Sequence, residues 1–310
     1  MNESTLEPLN AHIPHNLGPK IIGPRAVLGE SPIWDSRNSA LAWVDIDGRT
    51  LFRWQSTTDS VSQFPMPGRP GSVMLSGDAD ILIVALEHSI TTIDMRTGEL
   101  SPIVELAIPE ATTRLNDGKC DRSGRLWVGS MHAPASEGKS TGSLFCVATP
   151  HKVSEVFTGV GVANGIAFSP DGAVMYFADS ARGMVWSYTM DQESGVLSNE
   201  QVFVDFKEAG LPGRPDGACV DEDGCYWIAC VYGSAIARIT PRGGVDRMIA
   251  VPAQRPTCCA FGGDDLSTLF VTSIGGGGAY PVFENEPDAG RIFAFDLGVR
   301  GLNESRWCWW

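Results

Sequence analysis

The chain has 310 residues, of which 43% are hydrophobic and 19% are charged, a composition typical of a globular protein with a sizeable core. Its formal net charge of −14 at pH 7 argues against nucleic acid or an anionic membrane surface as a partner, because both need a basic patch. The 8 cysteines include no Cys-x-x-Cys pair, which excludes a zinc ribbon or a thioredoxin-type site and predicts reduced thiols in the core.

The N-terminal stretch MNESTLEPLNAHIPHNLGPK is polar and broken by prolines. It has no apolar core of the kind that a secretory signal peptide needs. No run in the chain approaches the roughly 18 apolar residues of a membrane span. From these features we expect a cytoplasmic protein with no membrane partner.

Short strands dominate the predicted secondary structure. Gly (35 residues) and Pro (20 residues) divide the chain into short pieces rich in Val, Ile, Phe, Trp and Tyr. In chain order, the strongest predicted strands are ALAWVDI, DILIVAL, RLWVGSM, VMYFADS, CYWIACVY and TLFVTSI. Each follows a turn rich in Asp, Gly or Ser, each turn follows a shorter strand, and a further strand comes after each. One module therefore repeats along the chain.

The spacing of this module predicts the fold. Equivalent points in successive modules are Gly29, Gly71, Asn116, Asn164, Asp216 and Thr257. They are separated by 42, 45, 48, 52 and 41 residues, and such a period, with about four strands per repeat, indicates an all-β, six-bladed β-propeller rather than a β-sandwich or an α/β chain. The sixth module lacks a good fourth strand, so we expect segment 20–28 to supply it and close the ring. The predicted domain is 20–302, between tails at 1–19 and 303–310.

Polar residues at the module starts are the candidate site. The first strand of each propeller blade lines the central channel, so these residues should meet at one mouth of it. They are Glu30, Arg114, Asn116, Asp117, Asn164 and Asp216. Two carboxylates and the Asn164 amide are hard oxygen ligands that suit Ca²⁺, Mg²⁺ or Mn²⁺. Three protein ligands would leave positions for water and substrate, as in a catalytic metal site.

A simpler interpretation exists for the same residues. Asn164-Gly165 and Asp216-Gly217 have the composition of ordinary turns, and so does Asp117-Gly118. Only the recurrence of these residues at one phase of the repeat favours a site. The pattern alone leaves a metal-centred enzyme and a binding scaffold both open.

Five stretches resemble one known family, the regucalcin/gluconolactonase-like sugar lactonases, over residues 28–302. They are GESPIW, RLNDGKCDRSGRLWVGSM, ANGIAFSPDGAVMYFADS, RPDGACVDEDGCYWIA and GRIFAFDLGVRGL. The resemblance implies a six-bladed propeller that holds one divalent metal ion on Glu30, Asn164 and Asp216. Ca²⁺ is the first candidate, and Mn²⁺, Mg²⁺, Zn²⁺ or Fe²⁺ are the alternatives. It also makes Arg114 and Asn116 substrate-binding residues.

The implied reaction is hydrolysis of a small-molecule sugar lactone to an aldonic acid. The substrate would be a glucono-, galactono-, xylono- or arabinonolactone. We expect the protein to be a monomer or a homodimer. We expect Asp216 to act as the general base, since a ligand carboxylate can accept a proton from the attacking water. The rival functions are a non-enzymatic calcium-binding propeller and a propeller esterase on non-sugar esters. A Ser–His–Asp hydrolase is disfavoured, because the 5 histidines are dispersed along the chain.

Two features depart from the family or stay open. Some members carry an acidic residue after the step that matches Gly129-Ser130-Met131, whereas this chain continues with His132. That histidine is either a replacement donor for a substrate hydroxyl or a loop residue with no role. The terminal sequence RWCWW predicts exposed tryptophans that pack on the propeller flank or form a dimer contact.

Overall fold

The fold is built almost entirely from short antiparallel strands. The computed structural model describes residues 18–109 and 111–308, and its only helical turn in these ranges is a 3₁₀ turn at Ala135–Glu137. Six sheets follow one another along the chain, five of four strands and one of five. The predicted all-β, six-bladed propeller is therefore confirmed. Within the described ranges, no helix has the length and apolar character needed to cross a bilayer.

The first strand in the chain and the first three blades have the following bounds. The first strand is β1 (Lys20–Ile22). Blade one consists of β2 (Gly29–Asp35), β3 (Ala40–Asp45), β4 (Thr50–Gln55) and β5 (Ser60–Pro65). Blade two consists of β6 (Ser72–Ser76), β7 (Ile81–Ala85), β8 (Ser89–Asp94) and β9 (Leu100–Glu105). Blade three consists of β10 (Thr113–Cys120), β11 (Leu126–His132), β12 (Gly142–Thr149) and β13 (Lys152–Val160).

The last three blades and the final strand complete the chain. Blade four consists of β14 (Ala163–Phe168), β15 (Val174–Asp179), β16 (Met184–Met190) and β17 (Leu197–Asp205). Blade five consists of β18 (Arg214–Val220), β19 (Tyr226–Val231), β20 (Ala235–Ile239) and β21 (Val245–Ala250). Blade six contains β22 (Pro256–Gly262), β23 (Thr268–Ser273) and β24 (Ile292–Asp296), and the last strand is β25 (Arg306–Trp307).

The two ends of the propeller domain pair to close the ring. β1 runs antiparallel to β24, with Ile21 opposite Phe293, and so forms the outermost strand of blade six. The prediction that an N-terminal segment completes the last blade is confirmed, although only Lys20–Ile22 of segment 20–28 forms the strand. The predicted N-terminal tail lies outside the described residues up to residue 17.

Large aromatic side chains fill the space between neighbouring blades. Trp127 in β11 and Trp227 in β19 occupy the same place in blades three and five, and both are fully buried. Trp227 packs edge-on against Phe261 of blade six at 5.5 Å, and Trp127 lies against Phe168 of blade four at 6.2 Å. Contacts of this kind bury both faces of the inner strands, because each blade packs face to face on the next.

A buried aspartate holds the turn between the first two strands of blades three and five. Asp121 accepts hydrogen bonds from the indole of Trp127 at 2.9 Å and from Arg125 Nε at 2.6 Å. Asp221 accepts from the indole of Trp227 at 2.8 Å and from Arg238 Nε at 2.8 Å. Each carboxylate thereby satisfies an indole N–H and a guanidinium that would be costly to bury alone.

Bulges interrupt the innermost strand in five of the six blades. The pairing with the second strand shifts register after Glu30, Leu115, Asn164, Pro215 and Pro256. In blade two, by contrast, β6 and β7 pair without a shift from Ser72 to Leu75. A bulge inserts extra residues on one strand and re-aims their side chains. The predicted site residues lie at these bulges.

The C-terminus returns to the centre of the molecule. β25 pairs in parallel with β6, the innermost strand of blade two, with Trp307 opposite Ser76. Trp307 is fully buried, and its Nε1 donates to Val147 O at 3.3 Å. The expectation of exposed terminal tryptophans is therefore wrong for Trp307, because its strand finds a partner far away in sequence. Trp309 and Trp310 lie outside the described residues.

Candidate metal and substrate site

Four inner strands carry the predicted site residues. Glu30 lies in β2, Arg114 and Asn116 in β10, Asn164 in β14 and Asp216 in β18. The structure therefore brings residues from blades one, three, four and five to the propeller axis. The Asx-Gly pairs considered as simple turns are not turns here. They lie within strands, at the bulges of the inner strands.

A chain of hydrogen bonds links three of these residues. Arg114 Nη1 donates to Asn116 Oδ1 at 2.7 Å, and Asn116 Nδ2 donates to Asn164 Oδ1 at 2.9 Å. Asn164 Nδ2 in turn donates to Ser180 Oγ at 2.8 Å. All four side chains are buried. The amide of Asn164 is thereby held in one orientation, and its oxygen keeps a second lone pair for another partner.

Two carboxylates in this part of the channel, those of Glu30 and Asp216, have raised pKa values. Burial and the charge of Asp117 raise the pKa of Glu30 to about 8, although the N–H of Ser31 and the charge of Arg114 oppose the shift. Burial, then the charges of Glu30 and Asp117, raise the pKa of Asp216 well above its usual range. These carboxylates therefore repel one another in a poorly hydrated place.

Asp117 is a third acid in the same cluster. Its Oδ2 accepts a hydrogen bond from the backbone N–H of Ile166 at 2.8 Å, which ties the bulge of blade three to that of blade four. Burial raises its pKa, while the N–H of Ile166 and the charge of Lys119 oppose the shift. The sequence places Asp117 at the module start, but it shows neither this bond nor its closeness to the other acids.

The donor atoms fit a hard divalent cation. Glu30 and Asp216 supply carboxylate oxygens, and Asn164 supplies an amide oxygen whose direction is fixed. Within residues 18–109 and 111–308, no three His, Cys, Asp or Glu side chains group as a complete metal site. The candidate set has only two such residues plus the amide, which suits an ion that accepts neutral oxygens and water. A divalent cation would also offset the repulsion between the carboxylates.

Residues that the sequence did not single out surround Arg114. Burial lowers the pKa of Arg114, and the charges of Tyr280 and Asp47 oppose this while that of Arg69 reinforces it. Arg69 lies 3.7 Å from Asp47 and 3.6 Å from Glu87. Arg69 stands two residues before Gly71, the module start of blade two, and this position is the sequence feature that could have identified it. These groups add polar donors and acceptors around Arg114.

His132, the last residue of β11, is held by residues of the loop that follows this strand. It is buried, with Nδ1 at 3.0 Å from Thr141 Oγ1 and Nε2 at 3.0 Å from Glu137 Oε2. Glu137 in turn accepts from Lys139 at 2.6 Å. Both ring nitrogens therefore have protein partners, which favours the loop role over that of a substrate donor.

The loop and the first residue of β12 contain a Gly-x-Ser-x-Gly sequence, Gly138–Gly142. In nucleophile elbows this pattern lies on a sharp turn between a strand and a helix. Here Ser140 lies in an exposed loop between β11 and β12, and a strand follows it. The pattern therefore does not form a nucleophile elbow.

Fold and site together define a class: a six-bladed β-propeller with carboxylate, amide and guanidinium groups gathered on its axis. Residues 28–275 match the family model described as "SMP-30/Gluconolactonase/LRE-like region". The chain belongs to this family, which confirms the resemblance drawn from its motifs.

Named relatives support the same grouping. The chain is 35% identical over 280 residues to the 6-deoxy-6-sulfogluconolactonase of Pseudomonas putida, covering 90% of this chain and 94% of that protein. It is 33% identical over 283 residues to the L-arabinolactonase of Azospirillum brasilense, covering 91% and 92%. Among solved structures, the calcium-binding protein regucalcin of Agrobacterium tumefaciens matches with a TM-score of 0.86 and 27% identity, over 94% of this chain and 97% of that one.

Proposed function

We propose that this protein is a metal-dependent hydrolase that opens a sugar lactone to the aldonic acid in carbohydrate catabolism. The observation that carries the proposal is the hydrogen-bonded chain from Arg114 through Asn116 to Asn164, near two mutually repelling carboxylates. A site that only stored a cation would not need a guanidinium and amide donors beside it, whereas a hydroxylated substrate would use them. Relatives named as lactonases support hydrolysis of this substrate class.

We assign one divalent cation to Glu30, Asn164 and Asp216. Ca²⁺ is the first candidate because all three donors are oxygens, and Mn²⁺, Mg²⁺, Zn²⁺ and Fe²⁺ are the alternatives. When bound, such an ion would polarise the lactone carbonyl and lower the pKa of a neighbouring water. With their protons released on binding, the carboxylates of Glu30 and Asp216 would supply the negative charge that holds it.

The chain's own residues would do the rest of the chemistry. Asp216 would accept a proton from the attacking water as the new C–O bond forms, and would return it to the ring oxygen as the ring C–O bond breaks. Arg114 donates through Nη1 to the backbone oxygen of Leu115 and to Asn116, which fixes the plane of the guanidinium. The remaining donors of the guanidinium would hold substrate hydroxyls or the carbonyl side of the ring. Asn116 would align them.

The test is a lactone panel followed by proton release. The protein is stripped with EDTA and then given Ca²⁺, Mn²⁺, Mg²⁺, Zn²⁺ or Fe²⁺ singly, and spontaneous opening of each lactone is subtracted. The panel contains glucono-, galactono-, xylono- and arabinonolactones and a 6-sulfonated gluconolactone. We expect one cation to restore turnover of at least one lactone.

Two variants with matched chemistry separate the site from general damage. Asp216→Ala should abolish turnover, whereas Asp171→Ala should retain it, because the Asp171 carboxylate lies in an Asp-Gly turn and accepts hydrogen bonds from Ser169 Oγ and the backbone N–H of Ala173. Full activity of Asp216→Ala would refute the assigned mechanism. Intact cation binding without turnover on any lactone would instead favour a calcium-binding propeller, and turnover of non-sugar esters alone would favour an esterase. A cytoplasmic location and a monomeric or homodimeric state stay predictions.

A further inference from the structure

The C-terminal segment, residues 302–307, lies across the channel at the end away from the site. Before it, Gly301 forms a bridge with Asp221, at the first turn of blade five. Within it, Asn303 accepts from Ser36 Oγ at 2.5 Å, which ties it to the first turn of blade one. β25 then joins blade two. Contacts with blades on opposite sides of the ring mean that the segment spans the channel.

An ion pair lies inside the channel where the segment crosses it. Lys119 Nζ, from β10, is 3.2 Å from Glu304 Oε1, and it also donates to Ala218 O of β18 at 2.9 Å. The two side chains are only 14% and 12% exposed. Lys119 therefore reaches from blade three towards blade five and contacts the C-terminal segment on the way.

A small cavity connects this pair to the site. Its lining includes Ser31, Asp117 and Cys258 together with Lys119 and Glu304. Ser31 directly follows Glu30, and Asp117 is the third acid of the cluster. The pair and residues of the acid cluster therefore border the same small cavity.

The charges of the pair act on the acids above it. Lys119 lowers the pKa of Asp117, whereas Glu304 raises it. Lys119 also lowers the pKa of the buried Cys258 thiol. The two members of the pair therefore change the potential at Asp117 in opposite directions.

We propose that Lys119 and Glu304 are positioning residues that form the floor of the site and set its affinity for a divalent cation. The inference rests on the proposed metal site. An unpaired ammonium beneath the acids repels a cation, and an unpaired carboxylate attracts it, so the balance between the two tunes binding. The C-terminal segment is then part of the site, because it delivers Glu304 to the channel.

The experiment is calorimetric titration of EDTA-stripped protein with Ca²⁺ or Mn²⁺ at low salt. Glu304→Gln should weaken cation binding by roughly tenfold, and Lys119→Met should strengthen it several-fold, since a unit charge in a poorly hydrated channel acts over roughly 10 Å. The double variant should return to within about twofold of the wild-type Kd, because it restores a neutral floor. Lactone turnover is measured alongside, to see whether KM and kcat move separately.

Opposite directions of change distinguish this role from a merely structural one, in which both single variants weaken binding as they lose stability. The control is Asp94→Asn, which changes net charge as Glu304→Gln does but breaks a pair between the last residue of β8 and Arg96, whose side chain is 65% exposed. It should leave the Kd unchanged. Changes in the same direction, or a double variant that stays altered, would overturn the inference. Wild-type protein that binds no divalent cation would overturn the proposed metal site and this inference with it.

Discussion

Replacing Trp307 with alanine should destabilise the protein substantially, although the residue lies 3 positions from the chain end. Its side chain is fully buried in a cluster with Met74, Ile83 and Leu126 of blades two and three. The chain end would ordinarily be expected to tolerate substitution. Here the indole is part of the core, and its removal leaves a cavity between two blades.

The size of the effect follows from that burial. Removing a buried Trp or Phe side chain typically lowers the free energy of unfolding by about 3–5 kcal/mol. In domains of roughly this size, each 1 kcal/mol lowers Tm by about 2–4 °C, so Trp307→Ala should lower Tm by about 6–20 °C. If the segment detaches instead, the loss is limited to the free energy with which residues 302–307 dock.

The assay is thermal unfolding followed by circular dichroism, with hydrogen exchange to localise the change. The amide of Gly77 donates to Trp307 O at 3.0 Å, so its exchange should accelerate if β25 leaves its place. Cys308→Ala is the neighbouring control, and this exposed position should change Tm by no more than about 1–2 °C. A Tm within that limit for Trp307→Ala, with unchanged exchange at Gly77, would refute the docking of β25.

Three further outcomes are expected. Gly129→Ala should lower the free energy of unfolding by about 1–3 kcal/mol, because its new Cβ would lie 2.2 Å from the Cβ of Ala163. It should also weaken cation binding, because Ala163 directly precedes Asn164. Urea unfolding measures the first effect and calorimetry the second. Asp121→Asn should cost about 3–5 kcal/mol in urea unfolding, because it leaves the buried guanidinium of Arg125 without its carboxylate, and a loss below 1 kcal/mol would contradict this role of Asp121. Alkylation at pH 8, followed by mass spectrometry, should modify the exposed Cys308 first, whereas Cys230 should react only on unfolding, since burial raises its pKa to about 12.

The blade order and the convergence of the candidate site residues on inner strands could be predicted from the sequence because both depend on local patterns. Each module can be recognised by an apolar strand that follows an Asp/Gly turn. The repeat then shows which residues occupy equivalent positions in successive modules. Glu30, Asn164 and Asp216 were therefore found as one set although nearly 190 residues separate the first from the last. Ring closure by β1 followed from the missing fourth strand of the last blade.

The rest depends on pairings that leave no local trace. A bulge is defined by the register of the neighbouring strand, and GESP, LNDG and RPDG share no common letter pattern for it. The bond between Asn116 and Asn164 joins two blades, so it requires the packing between them. Trp307 was expected to be exposed because its partner strand, β6, lies more than 200 residues earlier.

The regular pairing of blade two explains where the chain end goes. The inner strand of a blade has one edge without a neighbour in its own sheet, and such an edge is open to any passing strand. In five blades a bulge disrupts the row of amides and carbonyls along this edge, whereas β6 pairs with β7 without a register shift. β6 is thus the inner edge best suited to act as a template, and β25 occupies it. The bulges that shape the candidate site thereby leave β6 as the inner strand with regular pairing, and residues 306–307 form a strand along its free edge.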